Sequence, residues 1–210
     1  MFISLEGVDG SGKTTIAQGF MQQLQALGYE VIYTREPGGN NIAEAIRTII
    51  LNPHHTNMDA KTEALLYAAA RRQHLVDVIS PALALQKIVL CDRFIDSSVA
   101  YQGYARKIGA QQIKELNDFA TSGIIPELTL LIDVKPEIGL KRIKQDQTRE
   151  INRLDLENLE FHQAVYQGYQ KLAKQAPNRI KVINGQRATS EIIAELYEII
   201  KTRLENERLN

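Results

Sequence analysis

A glycine-rich string near the start of the chain has the residue types and the spacing of a phosphate-binding loop. It reads Gly7-x-x-x-x-Gly12-Lys13-Thr14 and lies between a short apolar run and a segment with helical periodicity. The glycines let successive backbone N–H groups turn toward one anion, and the following helix adds its positive end. In such loops the lysine reaches the β- and γ-phosphates, and the threonine hydroxyl binds Mg²⁺. The string therefore predicts a nucleoside triphosphate site with Mg²⁺ rather than a chance glycine-rich turn.

Charged residues also follow two other strand-like runs. Arg35 opens an Arg-Glu-Pro-Gly-Gly turn, and Asp92-Arg93 follows the run Ile-Val-Leu-Cys. Asp92 could supply a carboxylate linked to Mg²⁺, and the planar guanidinium of an arginine suits phosphate oxygens. Motor-type ATPases tend to carry a second acid at the position of Arg93, so this pattern favours transfer to a phosphate acceptor over hydrolysis. Arg47, on the next predicted helix, could join the site or could be a solvated surface residue.

Two further features are less specific. Tyr67 and Arg71 are spaced i, i+4 on a predicted helix, where they could present a ring and a guanidinium to a base or form a cation–π pair in the core. The charge-dense segment 141–155 could be a solvated helix-loop-helix or a lid whose arginines close over a transferring phosphoryl group. The four histidines show no metal-ligand spacing, so they predict no metal or catalytic site.

Continuous apolar runs alternate with segments of helical periodicity along the whole chain. The runs cover residues 2–5, 31–34, 88–91, 128–132 and 180–183, and the helical segments cover 14–26, 42–50, 62–86, 111–121, 138–144, 156–174 and 190–205. Pro81 is expected to kink or end the third helix. This alternation predicts an α/β domain with a five-stranded parallel sheet covered by helices on both faces. Ligands of such folds bind beyond the carboxyl ends of the strands.

Composition limits the remaining classes of function. The chain has 210 residues, enough for a single domain spanning 1–210, and its 25 basic residues balance its 25 acidic ones. A nucleic-acid polymer is therefore not an expected partner, since such proteins usually carry a basic excess. No stretch approaches the ~18 apolar residues of a membrane span. Cys91 is the only cysteine, which excludes an intrachain disulfide and suggests the cytoplasm.

Five motifs in one order make the chain resemble the thymidylate kinase family, from residue 2 to about residue 185. They are EGVDGSGKTT, TREPGG, ALLYAAARRQH, VLCDRFIDSSVAYQG and NRLD. The resemblance implies a three-layer P-loop nucleotide-kinase fold, a homodimer, and Mg²⁺-dependent transfer of the γ-phosphate of ATP to dTMP. The nearest alternative is another nucleoside or nucleotide kinase of the same fold. A GTP-dependent switch would need an N-K-x-D string, which is absent, and a DNA-dependent ATPase would need paired acids and a basic surface.

The resemblance also implies roles for individual residues. The expected ATP site comprises Gly7, Gly10, Ser11, Gly12, Lys13, Thr14 and Thr15, with Arg142 beside the adenine and Gln186 in the closing loop 184–187. The expected dTMP site comprises Asp9, Arg35, Arg47, Tyr67, Arg71, Arg93, Ser98, Tyr101 and Gln102. Thr14 and Asp92 would bind Mg²⁺, and Asp9, Lys13 and Arg93 would act in catalysis.

A catalytic arginine is expected from the lid. Some members of the family carry this arginine inside the phosphate loop, whereas others have glycine there and supply it from the lid. Gly10 occupies the loop position here, so the chain resembles the lid-arginine class. Arg149 is the preferred candidate for the residue nearest the transferred group, and Arg153 is the second.

Overall fold

The computed structural model describes residues 1–146 and 151–208, with side chains through residue 204. Five strands form one parallel sheet in the order β2-β3-β1-β4-β5. The strands are β1 Phe2–Glu6, β2 Val31–Arg35, β3 Ile88–Asp92, β4 Leu128–Asp133 and β5 Ile180–Asn184. Each contains its predicted run, so the five-stranded α/β prediction is confirmed.

Helices follow every strand. They are α1 Lys13–Ala26, α2 Asn41–Leu51, α3 Ala60–His74, α4 Ser80–Ala84, α5 Ile95–Ser98, α6 Ala110–Thr121, α7 Pro136–Gln145, α8 Leu159–Gln175 and α9 Thr189–Arg208. Two π-helical turns, Leu75–Ile79 and Val99–Ala105, and a 3₁₀ turn, Arg153–Leu156, complete the described elements. Within residues 1–146 and 151–208, no helix combines the length and apolar character needed to cross a bilayer.

The single helix predicted over 62–86 is divided by a π-helical turn. The turn Leu75–Ile79 separates α3 from α4, and Pro81 lies in the first turn of α4. Proline has no N–H to donate to the carbonyl four residues earlier, so the preceding turn can widen without losing a further hydrogen bond. The structure therefore places a π-helical turn just before Pro81, where the sequence predicts a kink or a helix end.

The central strands β1, β3 and β4 are buried on both faces, as their continuous apolar runs predict. Ile3, Leu5 and Leu90 pack in one cluster with the apolar side of α1. Phe2 and Val89, which alternate with them, pack in a second cluster with the π-helical turn Leu75–Ile79. Successive strand residues point to opposite faces, so both clusters are needed to remove these strands from water.

The strand register brings the predicted site residues to one edge of the sheet. Leu5 of β1 and Arg35 of β2 are both aligned with Asp92, the last residue of β3. The loop after β1 and the turns after β2 and β3 therefore leave the sheet side by side. This is the carboxyl edge at which a parallel α/β sheet binds ligands.

Candidate active site

The loop between β1 and α1 has the backbone of an anion-binding cradle. Gly10 and Gly12 both have left-handed backbone conformations, with φ of 73° and 87°, which glycine adopts without steric cost. Lys13 folds back over the loop, and its Nζ donates to the carbonyl oxygens of Gly7 at 3.0 Å and Val8 at 2.9 Å. A buried ammonium above inward-turned amides is a strong site for an anion.

Burial, together with the positive charge of Arg93, lowers the pKa of Lys13 from 10.5 to about 8. Desolvation disfavours the charged form of an amine, and a neighbouring cation acts in the same direction. A polyphosphate in the loop would restore the favourable charge balance. The site is thus arranged so that an anionic ligand and the protonated lysine stabilise each other.

Thr14 and Asp92 form the part of the site suited to a divalent cation. The Thr14 hydroxyl donates to Asp92 Oδ2 at 3.2 Å, and both residues line the pocket above the loop. The described ranges contain no group of three His, Cys, Asp or Glu residues that could hold a metal without help. One hydroxyl and one carboxylate fit Mg²⁺, which usually keeps several waters and is completed by substrate phosphates.

A second pocket opens directly beside the phosphate loop. Asp9, Arg47 and Arg93 line both pockets, so the two cavities meet at these side chains. The remaining predicted substrate residues that line the second pocket are Tyr67, Arg71, Ser98, Tyr101 and Gln102. Of the predicted loop residues, those that line the first pocket are Gly10, Ser11, Gly12, Lys13, Thr14 and Thr15. The geometry can therefore hold two ligands in contact.

Arg93 and Asp9 form an ion pair at the junction of the two pockets. Arg93 Nη2 donates to Asp9 Oδ1 at 2.6 Å, and the Tyr101 hydroxyl donates to Asp9 Oδ2 at 2.8 Å. The guanidinium of Arg93 also lies 4.9 Å from the centre of the Tyr101 ring. Arg93 has a left-handed φ of 72°, which is uncommon for a side chain of this size. Such conformations persist where the surrounding structure enforces them, often at functional sites.

Two more guanidinium groups converge at the wall of this junction. Arg35 Nη1 and Arg47 Nη1 donate to the same carbonyl oxygen, that of Pro37, at 2.9 Å and 2.8 Å. Burial lowers the pKa of Arg47, and the charge of Arg35 adds to this effect. Glu44 Oε1 accepts from Arg35 Nη2 at 2.9 Å and balances one of these two charges, so an anion such as a phosphate monoester would offset the other.

Proteins of similar sequence assign the chain to one family. The sequence matches the thymidylate kinase family over residues 5–196. The chain is 53% identical to a thymidylate kinase of Clostridium novyi over 95% of its own length and 98% of the relative's. It is 50% identical to one of Bacillus pumilus over 100% and 99% of the two chains. The chain belongs to the thymidylate kinase family.

A solved structure supports the same assignment at the level of the fold. The crystal structure of a thymidylate kinase from Ehrlichia chaffeensis superposes with a TM-score of 0.79, at 33% identity. The match covers 95% of this chain and 98% of that one. The three-layer P-loop nucleotide-kinase fold predicted from the sequence is thereby confirmed, and the chain is a nucleoside monophosphate kinase.

Within this thymidylate kinase fold, Arg71 is more constrained than the sequence predicts. It is buried, and its Nε donates to Glu36 Oε2 at 2.7 Å. Its Nη1 donates to Asn117 Oδ1 at 2.6 Å and to Ser98 Oγ at 3.0 Å. Arg71 lines the second pocket, but most of its N–H groups already have protein acceptors. Ser98 accepts one of these hydrogen bonds, so Arg71 and Ser98 are held together in the wall of the second pocket.

The structure separates the predicted lid residues. Arg142 donates from Nη1 to the Gly10 carbonyl at 3.4 Å and lines the phosphate pocket. Arg153 lines neither pocket, because its Nη2 is held at 2.6 Å by the buried Glu63 carboxylate. This position differs from the one expected for an arginine at the transferred group. Arg149, the preferred candidate, lies outside the described residues.

Gln186 follows β5 and does not line the phosphate pocket. Its backbone N–H donates to Asn184 Oδ1 at 3.0 Å, and its side chain is exposed. A contact with adenine, as the resemblance implies, stays a prediction.

Gly139 also belongs to the site, although no sequence motif includes it. A Cβ at Gly10 would overlap the Gly139 carbonyl, and a Cβ at Gly139 would overlap the Asp9 carbonyl. Helix α7 therefore rests directly on the phosphate loop, with no space for a side chain at Gly10. The signal in the sequence was an isolated glycine inside a predicted helix, which costs about 1 kcal/mol relative to alanine and often has a packing reason.

Proposed function

We propose that this member of the thymidylate kinase family transfers the γ-phosphate of ATP to dTMP, giving ADP and dTDP. The observation that carries the proposal is the junction of the two pockets at Asp9 and Arg93. The γ-phosphate of a triphosphate bound in the loop would lie at this junction. The phosphate of a nucleoside monophosphate bound in the second pocket would lie next to it. Holding two reactants in line accounts for much of the acceleration of phosphoryl transfer.

The donor side would be formed by the phosphate loop. Its amides and Lys13 would bind the β- and γ-phosphates, and Arg142 would close the pocket from α7. Thr14 and Asp92 would hold Mg²⁺, which would neutralise charge on the β- and γ-phosphates. Lys13 would then donate to phosphate oxygens in place of the Gly7 and Val8 carbonyl oxygens.

The acceptor side would be formed by the second pocket. Arg35, Arg47 and Arg93 would bind the phosphate of dTMP, and Asp9 would hold Arg93 and accept from the sugar hydroxyl. Tyr67 would stack on the base, with Gln102 and Ser98 at its edge. A phosphate monoester is already ionised near pH 7, so no strong general base is required. The converging cations would offset the repulsion between two anionic nucleotides.

A substrate panel tests this proposal. ADP release, measured with a coupled assay, is expected to be fastest with dTMP among dTMP, dUMP, dCMP, UMP and thymidine. One methyl group in a fitted pocket contributes only about 1–3 kcal/mol, so dUMP should react with kcat/KM lower by about 10- to 200-fold. Equal kcat/KM for dTMP and dUMP would contradict a fitted thymine pocket. Fastest release with UMP or dCMP would assign the chain to another nucleotide.

The pH dependence of ATP use should follow Lys13. The pKa of Lys13 is lowered to about 8, so the charged form that binds phosphate is present below that pH and is lost above it. We expect kcat/KM for ATP to fall about tenfold per pH unit above this value, since this parameter reports the free enzyme. A Lys13→Arg variant keeps its charge and should show a flat profile. A wild-type profile that stays flat to about pH 9.5 would exclude this role for Lys13.

A homodimer is supported by the exposed faces of α3 and α6. Phe119 on α6 is 86% exposed and Leu65 on α3 is 58% exposed. Arg72, on the same side of α3 as Leu65, donates to the Ala120 carbonyl of α6 at 3.4 Å, so the two exposed faces adjoin. An adjoining pair of apolar faces suits an isologous contact with a second copy.

Phe119→Glu is expected to convert the dimer into a monomer in sedimentation velocity, because a charge at the centre of an apolar contact is costly to bury. Val182→Glu is the matched control, since Val182 is an exposed apolar residue on β5 at the far edge of the sheet. It should remain dimeric. A Phe119→Glu variant that sediments with the wild type would remove this face from the interface.

A further inference from the structure

Glu63 is a buried carboxylate that joins three parts of the molecule. It is 0% exposed on α3, and its Oε1 accepts from Gln102 Nε2 at 2.7 Å. Its Oε2 accepts from Arg153 Nη2 at 2.6 Å and from Arg106 Nε at 3.2 Å. A buried carboxylate persists only where partners compensate its charge, and here one amide and two guanidinium groups do so.

Arg106 and Glu157 complete the balance of charge. Arg106 Nη2 donates to Glu157 Oε1 at 2.6 Å, and the guanidinium lies 4.5 Å from the centre of the Phe161 ring. Burial would lower the pKa of Arg106, but the Glu63 and Glu157 carboxylates raise it above its ordinary value. Two carboxylates, of Glu63 and Glu157, and two guanidinium groups, of Arg106 and Arg153, therefore form a network without net charge. The network joins α3 to the segment after the π-helical turn Val99–Ala105 and to the segment before α8.

Arg153 connects this network to a wall of the second pocket. We call residues 151–157 the acceptor arm, of which Asn152 and Leu154 line the pocket. The Asn152 side chain accepts from the Leu154 N–H at 2.9 Å, which makes the arm a closed turn. Arg153 Nε also donates to the Ile50 carbonyl at the end of α2, at 2.8 Å. Holding Arg153 therefore fixes the whole turn against α2 and α3.

We propose that Glu63 is a positioning residue of the acceptor site, which sets Gln102 and, through Arg153, the acceptor arm against a bound nucleoside monophosphate. The proposal rests on the proposed function of the second pocket. It assigns Arg153 to the binding of the acceptor rather than to the transferred phosphoryl group. Loss of the link should weaken acceptor binding while donor binding, on the other side of Arg93, is preserved.

A double-mutant cycle on the full chain tests the link. Glu63→Gln and Arg153→Met are each expected to raise KM for dTMP about tenfold, with KM for ATP within about twofold of wild type. The double variant should also lie near tenfold, because both changes remove the same contact. An additive, roughly hundredfold rise in the double variant would overturn the proposal. So would an Arg153→Met variant with a kcat lowered about 10³-fold and an unchanged KM for dTMP, as expected of an arginine at the reacting group.

Hydrogen–deuterium exchange of residues 151–157 provides a readout that does not need turnover. Glu63→Gln should exchange at least about tenfold faster there, with β1 still protected, whereas the exposed Glu115→Gln should match wild type. If wild type shows this Glu63-dependent protection but no dTMP turnover, the proposed function fails and the link stands. If wild type is active and Glu63→Gln changes neither exchange nor KM, the link fails alone. Should Glu63→Gln not fold, Arg153→Met, which leaves Glu63 paired with Arg106, decides by the same readouts.

Discussion

Replacing Lys13 by alanine is expected to lower kcat/KM for ATP by about 10³-fold, the larger end of the loss seen when one preorganised donor is removed. Lys13 is the buried cation at the mouth of the loop, where its Nζ already lies within 3.0 Å of the Gly7 and Val8 carbonyls. Alanine leaves the backbone cradle but removes the charge that would meet the β- and γ-phosphates. Coupled measurement of ADP release with dTMP held at saturation gives the value directly.

Lys61→Ala is the control for this loss. Lys61 is an exposed lysine in the first turn of α3, so its removal changes the net charge equally without touching the loop. It should retain wild-type kinetics. Near-full turnover by Lys13→Ala would show that the loop does not carry the donor phosphates, and the assignment of the first pocket would be wrong.

Arg93→Met is expected to lower kcat/KM for dTMP by about 10²- to 10³-fold, again as the loss of one preorganised charge at the reacting group. Arg93 faces both pockets and is paired with Asp9 at 2.6 Å, so its removal takes a cation from the junction and leaves the Asp9 carboxylate beside the incoming phosphate. Steady-state kinetics with dTMP varied and ATP saturating measure the effect.

Arg93→Lys separates charge from geometry. A lysine keeps the positive charge but has no planar fork, so it cannot contact Asp9 and a phosphate in the same way. We expect only partial recovery, to no more than about a tenth of the wild-type kcat/KM for dTMP. The reason is that loss of one preorganised donor typically costs about 10²- to 10³-fold. Arg179→Met serves as a control for the loss of a paired guanidinium elsewhere, since Arg179 pairs with the buried Asp96 at 2.7 Å and lines neither pocket. Full recovery by lysine would reduce the role of Arg93 to that of a general positive charge.

Most of the fold could be predicted because its signals are local. Each strand is a continuous apolar run, and α1, α2 and α6 show helical periodicity, so their bounds differ from the predicted ones by about one residue. The π-helical turn Val99–Ala105 was not predicted. Residues 99–103 are all buried, so the segment has no alternation of buried and exposed faces from which a helical period could be detected.

The missing parts of the site depend on contacts between residues distant in the chain. Glu36 and Glu63 were not singled out, although each holds an arginine that was: Glu36 pairs with Arg71 and Glu63 with Arg153. A buried carboxylate looks like any surface acid until the tertiary structure provides its partner. For the same reason the sequence could not show that the Arg153 side chain turns toward Glu63, because its position in a charged segment gives no information about a distant partner.

Calorimetric titration measures binding at each of the two proposed sites separately, and it requires no turnover. Wild-type protein is expected to bind a non-hydrolysable ATP analogue with Mg²⁺, and to bind dTMP, each at one site per chain. Lys13→Ala should lose the heat of the analogue and keep that of dTMP, and Arg93→Met should show the reverse. Wild-type protein that gives no heat with either compound, alone or together, would exclude both proposed binding sites.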